Sequence, residues 1–567
     1  MESLPALFYT ALAAGAAASI SYLFYLAILE PQWNPLRRLP GPPVRGFFGN
    51  HMGMVLDPSR SPRVHEAFVK HYGRNLRIRG FLPWDQRLFT LDPVSLAHIM
   101  KHSTIYEKPW QSRALISSLL GVGMLAAEGQ VHKRQRRVAT PAFSVQNMRA
   151  LVPVAFQKGV ELRDRWMALI AEAQSGAEAR KNGGGARLDV CHWVSRATFD
   201  VIGLAGFDYQ FNAIQDESNE LFTAYKEMFE IAVSQQGGGL WELLIVYLPI
   251  LDRFAPGPRY GVIKKSQEVI KRVAGRLIQE KKRKIEEAEK AGSVYGGKDL
   301  LSALLRSNVA VDLPTDQRIS DEDILHNINT FMFAGSDTSS LSLTWILYLL
   351  SVYPDVQTRL RAELRALLPP LPLSALTDED AAALYAKVAA LPYLENVIRE
   401  TLRLIPPVHS SIRVATQDDV VPTATPVKLS TPDGGVVEED SFVMPKGCCV
   451  HVPIEAFNLD RGVWGPDGWQ FKPDRWGNLP EAVKAQPGLY NNILTFSAGP
   501  RSCIGMKFSI IEIKMFIFTL VSNFKFAESD KVGKANVVLT RPYVMGKHRE
   551  GSQCPLLVTP YIPESAA

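Results

Sequence analysis

Phe496-Ser-Ala-Gly499-Pro-Arg501-Ser-Cys503-Ile-Gly505 stands near the C-terminal end of a 567-residue chain. The stretch sets one cysteine among glycines, with an aromatic seven residues before it and an arginine two before it. Glycines let backbone N–H groups turn toward a sulfur and let a flat group approach closely. Arginine offers a permanent cation to a carboxylate. A lone cysteine is most often a small buried hydrophobe. A metal-ligating thiolate at Cys503 is the alternative, and it needs surroundings of this kind.

The pattern F-x-x-G-x-R-x-C-x-G resembles the haem-binding signature of the cytochrome P450 superfamily. The resemblance implies haem b as cofactor and Cys503 as axial ligand of its iron, with Phe496, Arg501 and Gly505 in the binding loop.

A second signal lies upstream. Ser320-Asp-Glu-Asp323 has the form of a capping box, and a mostly apolar stretch without proline follows it to Pro354. This predicts one unusually long helix. Ala334-Gly335-Ser336-Asp337-Thr338-Ser339 sits in its middle. Glycine, an acid and hydroxyls are poor occupants of a buried helix, and a buried carboxylate is costly unless paired or used. A local kink with satisfied polar groups is the plain alternative. The segment resembles the family's A-G-x-[DE]-T-[TS] motif. That likeness implies catalytic roles for Asp337, as proton relay, and Thr338, as hydrogen-bond donor to dioxygen. Gly335 is expected to let a ligand lie against the helix.

Glu400-Thr-Leu-Arg403 lies in a helical pattern that ends before Pro406-Pro407. Glu and Arg three apart share a helix face, and a surface pair of this kind is worth little. The resemblance makes Glu400, Arg403 and Arg475 (in Phe471-Lys-Pro473-Asp-Arg475-Trp476) a buried structural triad. It also supplies cations for the two haem propionates: Arg501, Arg413 and Arg136. Where the family usually has W-x-x-x-R, this chain has His132 and Arg136; the imidazole can still donate a hydrogen bond. Lys133, Arg134 and Arg137 beside them read as a solvated helix face; the resemblance implies that an acidic reductase domain docks there.

Leu4 to Leu29 carry no charged side chain and are long enough to span a bilayer. A cleaved signal peptide fits less well, because no basic region precedes the run. Arg37, Arg38 and Arg45 follow it, so the positive-inside rule places the rest in the cytosol. Leu39-Pro-Gly-Pro-Pro43 reads as a stiff connector and resembles the hinge of microsomal family members. The expected division is an anchor over 1–30, a hinge and connector over 31–60, and a catalytic domain over 61–567. The expected site is the endoplasmic reticulum membrane, crossed once.

Composition limits other classes. Net charge is a formal +6, mild for this length, which gives no sign of nucleic-acid binding. Five scattered cysteines without C-x-x-C spacing argue against a disulfide framework and a zinc site.

The fold class expected is mainly α with small β-sheets, a cytochrome P450 fold behind an N-terminal transmembrane helix. A helix over Pro62–Tyr72 precedes strands around Leu76–Ile78 and Arg87–Leu91, and Asp92-Pro93 opens another helix. Gln174 to Arg187 and Ala288 to Lys298 read as surface inserts, Thr425 to Asp440 as a hairpin with an enlarged turn, and Val537 to Thr559 as strand-like. Leu240 to Leu251 reads as a buried helix or a second membrane contact.

The activity implied is that of a haem-thiolate monooxygenase acting on a lipophilic molecule: an aromatic xenobiotic, a terpenoid or a sterol. Such chemistry serves secondary metabolism or xenobiotic oxidation. No flavin or nucleotide fingerprint occurs, so electrons are expected from NADPH through a separate reductase, with cytochrome b5 as a further donor. An isomerase or peroxygenase, or a haem-binding membrane protein without turnover, are the alternatives.

Overall fold

The computed structural model describes residues 3–174, 184–233, 259–293, 297–309, 317–536 and 538–562. The segment from Leu240 to Leu251 lies outside the described residues. The chain is mostly helical, 59%, so its sheets are accessory. It divides into two compact units, each assembled from separated stretches of sequence.

One unit takes residues 1–109, 410–468 and 480–502. It opens with the apolar helix Ser3–Phe24, continued by a wider turn over Tyr25–Leu29 and a last turn over Glu30–Trp33. Phe8–Trp33 is the helix among the described residues that is long and apolar enough to cross a membrane, and none of its residues is buried. The helix Ser61–Tyr72 and the strands Asn75–Arg79 and Gln86–Thr90 follow. Asp92 caps the helix Pro93–Lys101 by accepting from Val94 and Ser95 N–H, as the Asp-Pro pair predicts. Tyr106–Glu107, Ser411–Ala415 and Cys449–Val452 complete a five-stranded sheet. Gln86–Thr90 pairs in parallel with Cys449–Val452, which runs antiparallel to Ser411–Ala415 and puts Arg413 opposite Val450. The later hairpin is larger than expected. Its strands are Asp419–Ser430 and Val436–Met444, and the turn is confined to 431–435, because β-branched residues on both arms extend the pairing.

The other unit takes residues 110–409, 469–479 and 503–567. Its centre is the helix Asp321–Val352, 32 residues and so about 48 Å long. Ser320 accepts from Asp323 N–H, and the Asp323 carboxylate accepts from Ser320 N–H, which completes the capping box. The helix Val190–Phe207 packs along it; nearly every residue of this second helix is buried, so it needs no polar face. The insert placed at Ala288 starts too early: helix Arg259–Lys290 runs through it, carried by its Lys and Glu content. Gln174 likewise ends the helix Val152–Gln174, and Arg187 belongs to the strand Ala186–Asp189. That strand pairs with Pro555–Pro560, which pairs with Phe524–Glu528. Within the tail, Thr540–Val544 pairs with Val532–Asn536, and a single helical turn, His548–Glu550, interrupts the strands.

Candidate active site

Cys503 begins the second unit's final stretch, three residues before the apolar helix Met506–Asn523. A helix N-terminus favours a negative sulfur. Cys503 is surface-accessible, yet protein atoms crowd it closely enough to push its thiol pKa up. Both conditions hold for a side chain on a concave surface. The Gly505 N–H, donated to the sulfur, and the Arg136 charge pull the other way. A Cβ on Gly505 would meet only the Phe143 ring, at 3.8 Å, so internal packing does not demand glycine there.

His132 and Arg136 share the helix Gly129–Ala139. His132 is buried; Arg136 is desolvated, which lowers its pKa, while the Cys503 sulfur opposes that effect. Arg134 turns away to Asp323, at 3.6 Å. Lys133 and Arg137 are the exposed cations of this helix.

Phe496, Arg501 and Arg413 belong to the first unit. Phe496 is buried, its ring edge-on to Tyr490 at 5.5 Å. Gly499 has φ +66°, and a Cβ there would lie 2.3 Å from the Met100 carbonyl oxygen. Only glycine satisfies both conditions. Burial lowers Arg501 to about 10, with Glu107 offsetting part of the shift. Arg413 is buried, and its Nη1 donates to Ser411 Oγ (2.6 Å) and the Ile412 carbonyl (2.8 Å). Burial lowers it to about 10 as well, and no carboxylate pairs with it among the described residues. A buried guanidinium with only neutral partners fits an anionic ligand group. Each taken within its own unit, Arg413 and Arg501 suit acidic groups of a ligand, and Cys503 suits a soft-ligated metal.

The central helix presents two faces at its polar break. Ala334 is exposed within a run of buried neighbours, and Thr338, one turn on, is half-buried with Oγ1 donating to the Ala334 carbonyl at 2.7 Å. Gly335 faces elsewhere: a Cβ there would lie 2.8 Å from Ile202 Cδ1. Its role is close packing against the helix Val190–Phe207, not the ligand approach expected from sequence. Asp337 also turns from Thr338, and its carboxylate pairs with Arg541.

Arg541 was not anticipated. It sits on Thr540–Val544, which is fixed to the central helix by Trp345 Nε1 donating to the Thr540 carbonyl at 3.0 Å. Burial alone would lower Arg541; Asp337, together with Cys191 and Glu230, more than offsets this and holds its pKa up. Asp337, Arg541, Lys226 and Glu230 share a cavity of about 80 Å³ with Cys191 and Phe229.

Glu512 was also missed. It is fully buried on Met506–Asn523, and its carboxyl oxygens make no hydrogen bond among the described residues. Burial pushes its pKa up to about 8; Ser339, nearby but outside hydrogen-bond geometry, lowers it a little. A lone acid between Ile511 and Ile513 in an apolar helix is the signal that could have found it.

Glu400 is completely buried and accepts from Arg403 and from three other residues. Arg403 donates through Nε and Nη2 at 2.9 Å each. Arg475 Nε (2.8 Å), Trp476 Nε1 (3.1 Å) and Lys472 N–H (3.0 Å) complete the cage. Every lone pair has a donor, which is the condition for a buried ion cluster to hold. Tyr106 donates to Asp419 at 2.7 Å.

The family model for Cytochrome P450 matches residues 39–549. Cytochrome P450 monooxygenase 205 of Postia placenta is 37% identical, with 94% of each chain covered. Cytochrome P450 monooxygenase 128 of the same fungus is 35% identical over 97% of this chain and 98% of its own. A protein named ganoderic acid synthetase, from Ganoderma lucidum, is 32% identical over 91% and 92%.

Proposed function

The chain belongs to the cytochrome P450 family and is a haem-thiolate monooxygenase, and from that premise we propose that it inserts one atom of dioxygen into a lipophilic organic molecule. The observation that carries the site assignment is Cys503, accessible, hydrogen-bonded by Gly505 N–H and placed before a helix N-terminus.

In this reading Cys503 would ligate the haem iron, Arg136, His132, Arg413 and Arg501 would hold the propionates, and Phe496 and Gly505 would shape the loop. Bound there, the haem supplies dioxygen activation and oxygen-atom transfer. Thr338 holds a proton at Oγ1 on the accessible face of the central helix. Asp337 takes protons from the cavity it shares with Glu230, and the pair with Arg541 orients its carboxylate there. Glu400, Arg403 and Arg475 brace the fold and take no part in the chemistry.

Residues 1–30 anchor the chain, 31–60 connect, and 61–567 form the catalytic part. The anchor crosses the endoplasmic reticulum membrane once, with the catalytic part cytosolic. Electrons come from NADPH through a separate reductase, with cytochrome b5 as a second donor, and Lys133 and Arg137 offer the reductase an exposed basic face. A relative named for ganoderic acid supports an organic molecule of secondary metabolism, within the class of aromatic xenobiotics, terpenoids and sterols.

The test is turnover. Full-length protein with a fungal reductase is given a panel of these compounds, and NADPH use and product mass are followed. Substrate-dependent NADPH use with products one oxygen heavier supports the reading. Conversion without NADPH would favour an isomerase or peroxygenase.

A further inference from the structure

The first strand carries Arg77 and Arg79 on one face, since alternate residues of a strand share a side. The connector after the apolar helix lies directly on this strand. Arg77 N–H donates to the Pro40 carbonyl at 2.8 Å, and a Cβ on Gly41 would lie 2.1 Å from the Arg77 carbonyl oxygen. Leu36 is completely buried, and Asn34 Nδ2 donates to Cys448 Sγ at 3.0 Å. The chain is therefore docked within a few residues of Trp33, where the apolar helix ends. Arg37, four residues on, lies within about 14 Å of that end.

Arg77 lies close enough to Arg37 and to Arg79 to feel both charges. Arg77 is lowered by burial first, then by the charges of Arg37 and Arg79. Arg79 is lowered by burial, and its Nε is buried without a hydrogen bond. Its Nη1 donates only to the Phe47 carbonyl, at 3.3 Å. His51, which accepts from Arg79 N–H, is kept low by burial and by both arginines. Among the described residues no carboxylate pairs with Arg37, Arg38, Arg45, Arg77 or Arg79. Asp85, the acid of the adjoining turn, is held by Arg87 at 2.6 and 2.8 Å. A concentration of like charge without counter-charge calls for an anion.

Aromatic side chains stand beside this cluster. Phe47 and Phe48 are exposed and packed edge-to-face at 4.9 Å, and Phe81 is exposed in the turn after the strand. Trp33, 71% exposed, ends the apolar helix. Exposed aromatics beside cations at the end of a span match the chemistry of a membrane interface.

We propose that Arg37, Arg77 and Arg79 seat the phosphate of an anionic lipid headgroup, in the leaflet where the N-terminal helix ends, with Phe47, Phe48 and Phe81 lying in the interface around it. This rests on the membrane-anchor reading above. Continuity of the cluster with the span selects lipid over a soluble anion. The site fixes how the sheet-bearing unit lies on the bilayer, and ties that placement to lipid charge and ionic strength.

Full-length protein in nanodiscs of phosphatidylcholine, with and without phosphatidylserine, tests this. Amide exchange of residues 41–51 and the phosphatidylserine retained on extraction into detergent are measured. Phosphatidylserine is expected to slow exchange in this loop and to co-purify in excess over its share of the disc. Both effects fade at high salt and weaken about fivefold for each arginine changed to glutamine, singly or in R37Q/R77Q/R79Q. Equal exchange and proportionate lipid retention in both discs overturn the proposal while leaving the anchor intact. Equal protection by inorganic phosphate in neutral discs overturns the assignment to lipid. Failure to enter either disc overturns the anchor reading and the proposal with it.

Discussion

At the residue scale, Glu512 and Thr338 illustrate two ways in which a polar group inside a helix is tolerated. Glu512 has a folded pKa of about 8 against an ordinary 4.5, so the folded state holds its proton more tightly than the unfolded chain does. Its contribution to stability is therefore most favourable in acid and declines as pH rises from 4.5 through about 8. Glu512→Gln removes that decline. The melting temperature of the variant is expected to gain on the parent steadily between about pH 5 and pH 9, by an amount equivalent to a few kcal/mol. Parallel melting curves across that range would refute the assignment. Thr338, by contrast, satisfies itself on the Ala334 carbonyl and remains partly accessible. Thr338→Ala should keep the fold and the NADPH consumption. Peroxide should replace product, because the proton that directs oxygen–oxygen cleavage is no longer held there. A peroxide assay beside product analysis checks this.

The residues that sequence alone disclosed are those whose meaning is local. Cys503 stands among glycines and Asp337 interrupts an apolar helix, and both anomalies lie within a few positions. Arg541 was illegible for the opposite reason: it meets Asp337 across 204 residues and sits in an ordinary strand sequence. Glu512 was overlooked rather than illegible, since it stands alone between Ile511 and Ile513 in a helix that packing buries. Gly335 was legible as an exception, but its direction was not: the helix phase that faces it to Ile202 is set by packing.

At the scale of elements, the central helix and its neighbour depend on that glycine. Gly335→Val drives a branched side chain into Ile202 and is expected to cost about 1–3 kcal/mol. Combining it with Ile202→Ala should recover part of the loss in a double-mutant cycle of thermal unfolding; strict additivity would show that the two do not touch. The Glu400 cage is more demanding. Glu400→Ala leaves two buried guanidiniums, Arg403 and Arg475, without their carboxylate. A loss of about 3–5 kcal/mol is expected, enough to abolish accumulation of folded protein at growth temperature. Normal yield and haem content in this variant would remove the triad from the structural account. The element boundaries that sequence misplaced, at Ala288 and in the later hairpin, lie where strong local propensity extends a helix or strand through residues that also suit turns.

At the scale of the whole molecule, the family model over residues 39–549 and relatives matched along nearly their full length give the chain one chemistry. The central claim is that this chemistry is held by one thiolate. The reduced carbon-monoxide difference spectrum of the full-length protein tests it most directly, with Cys503→Ala prepared in parallel. A thiolate-type Soret band in the parent, absent from Cys503→Ala, is the predicted result. A histidine-type band that persists unchanged in Cys503→Ala would contradict it.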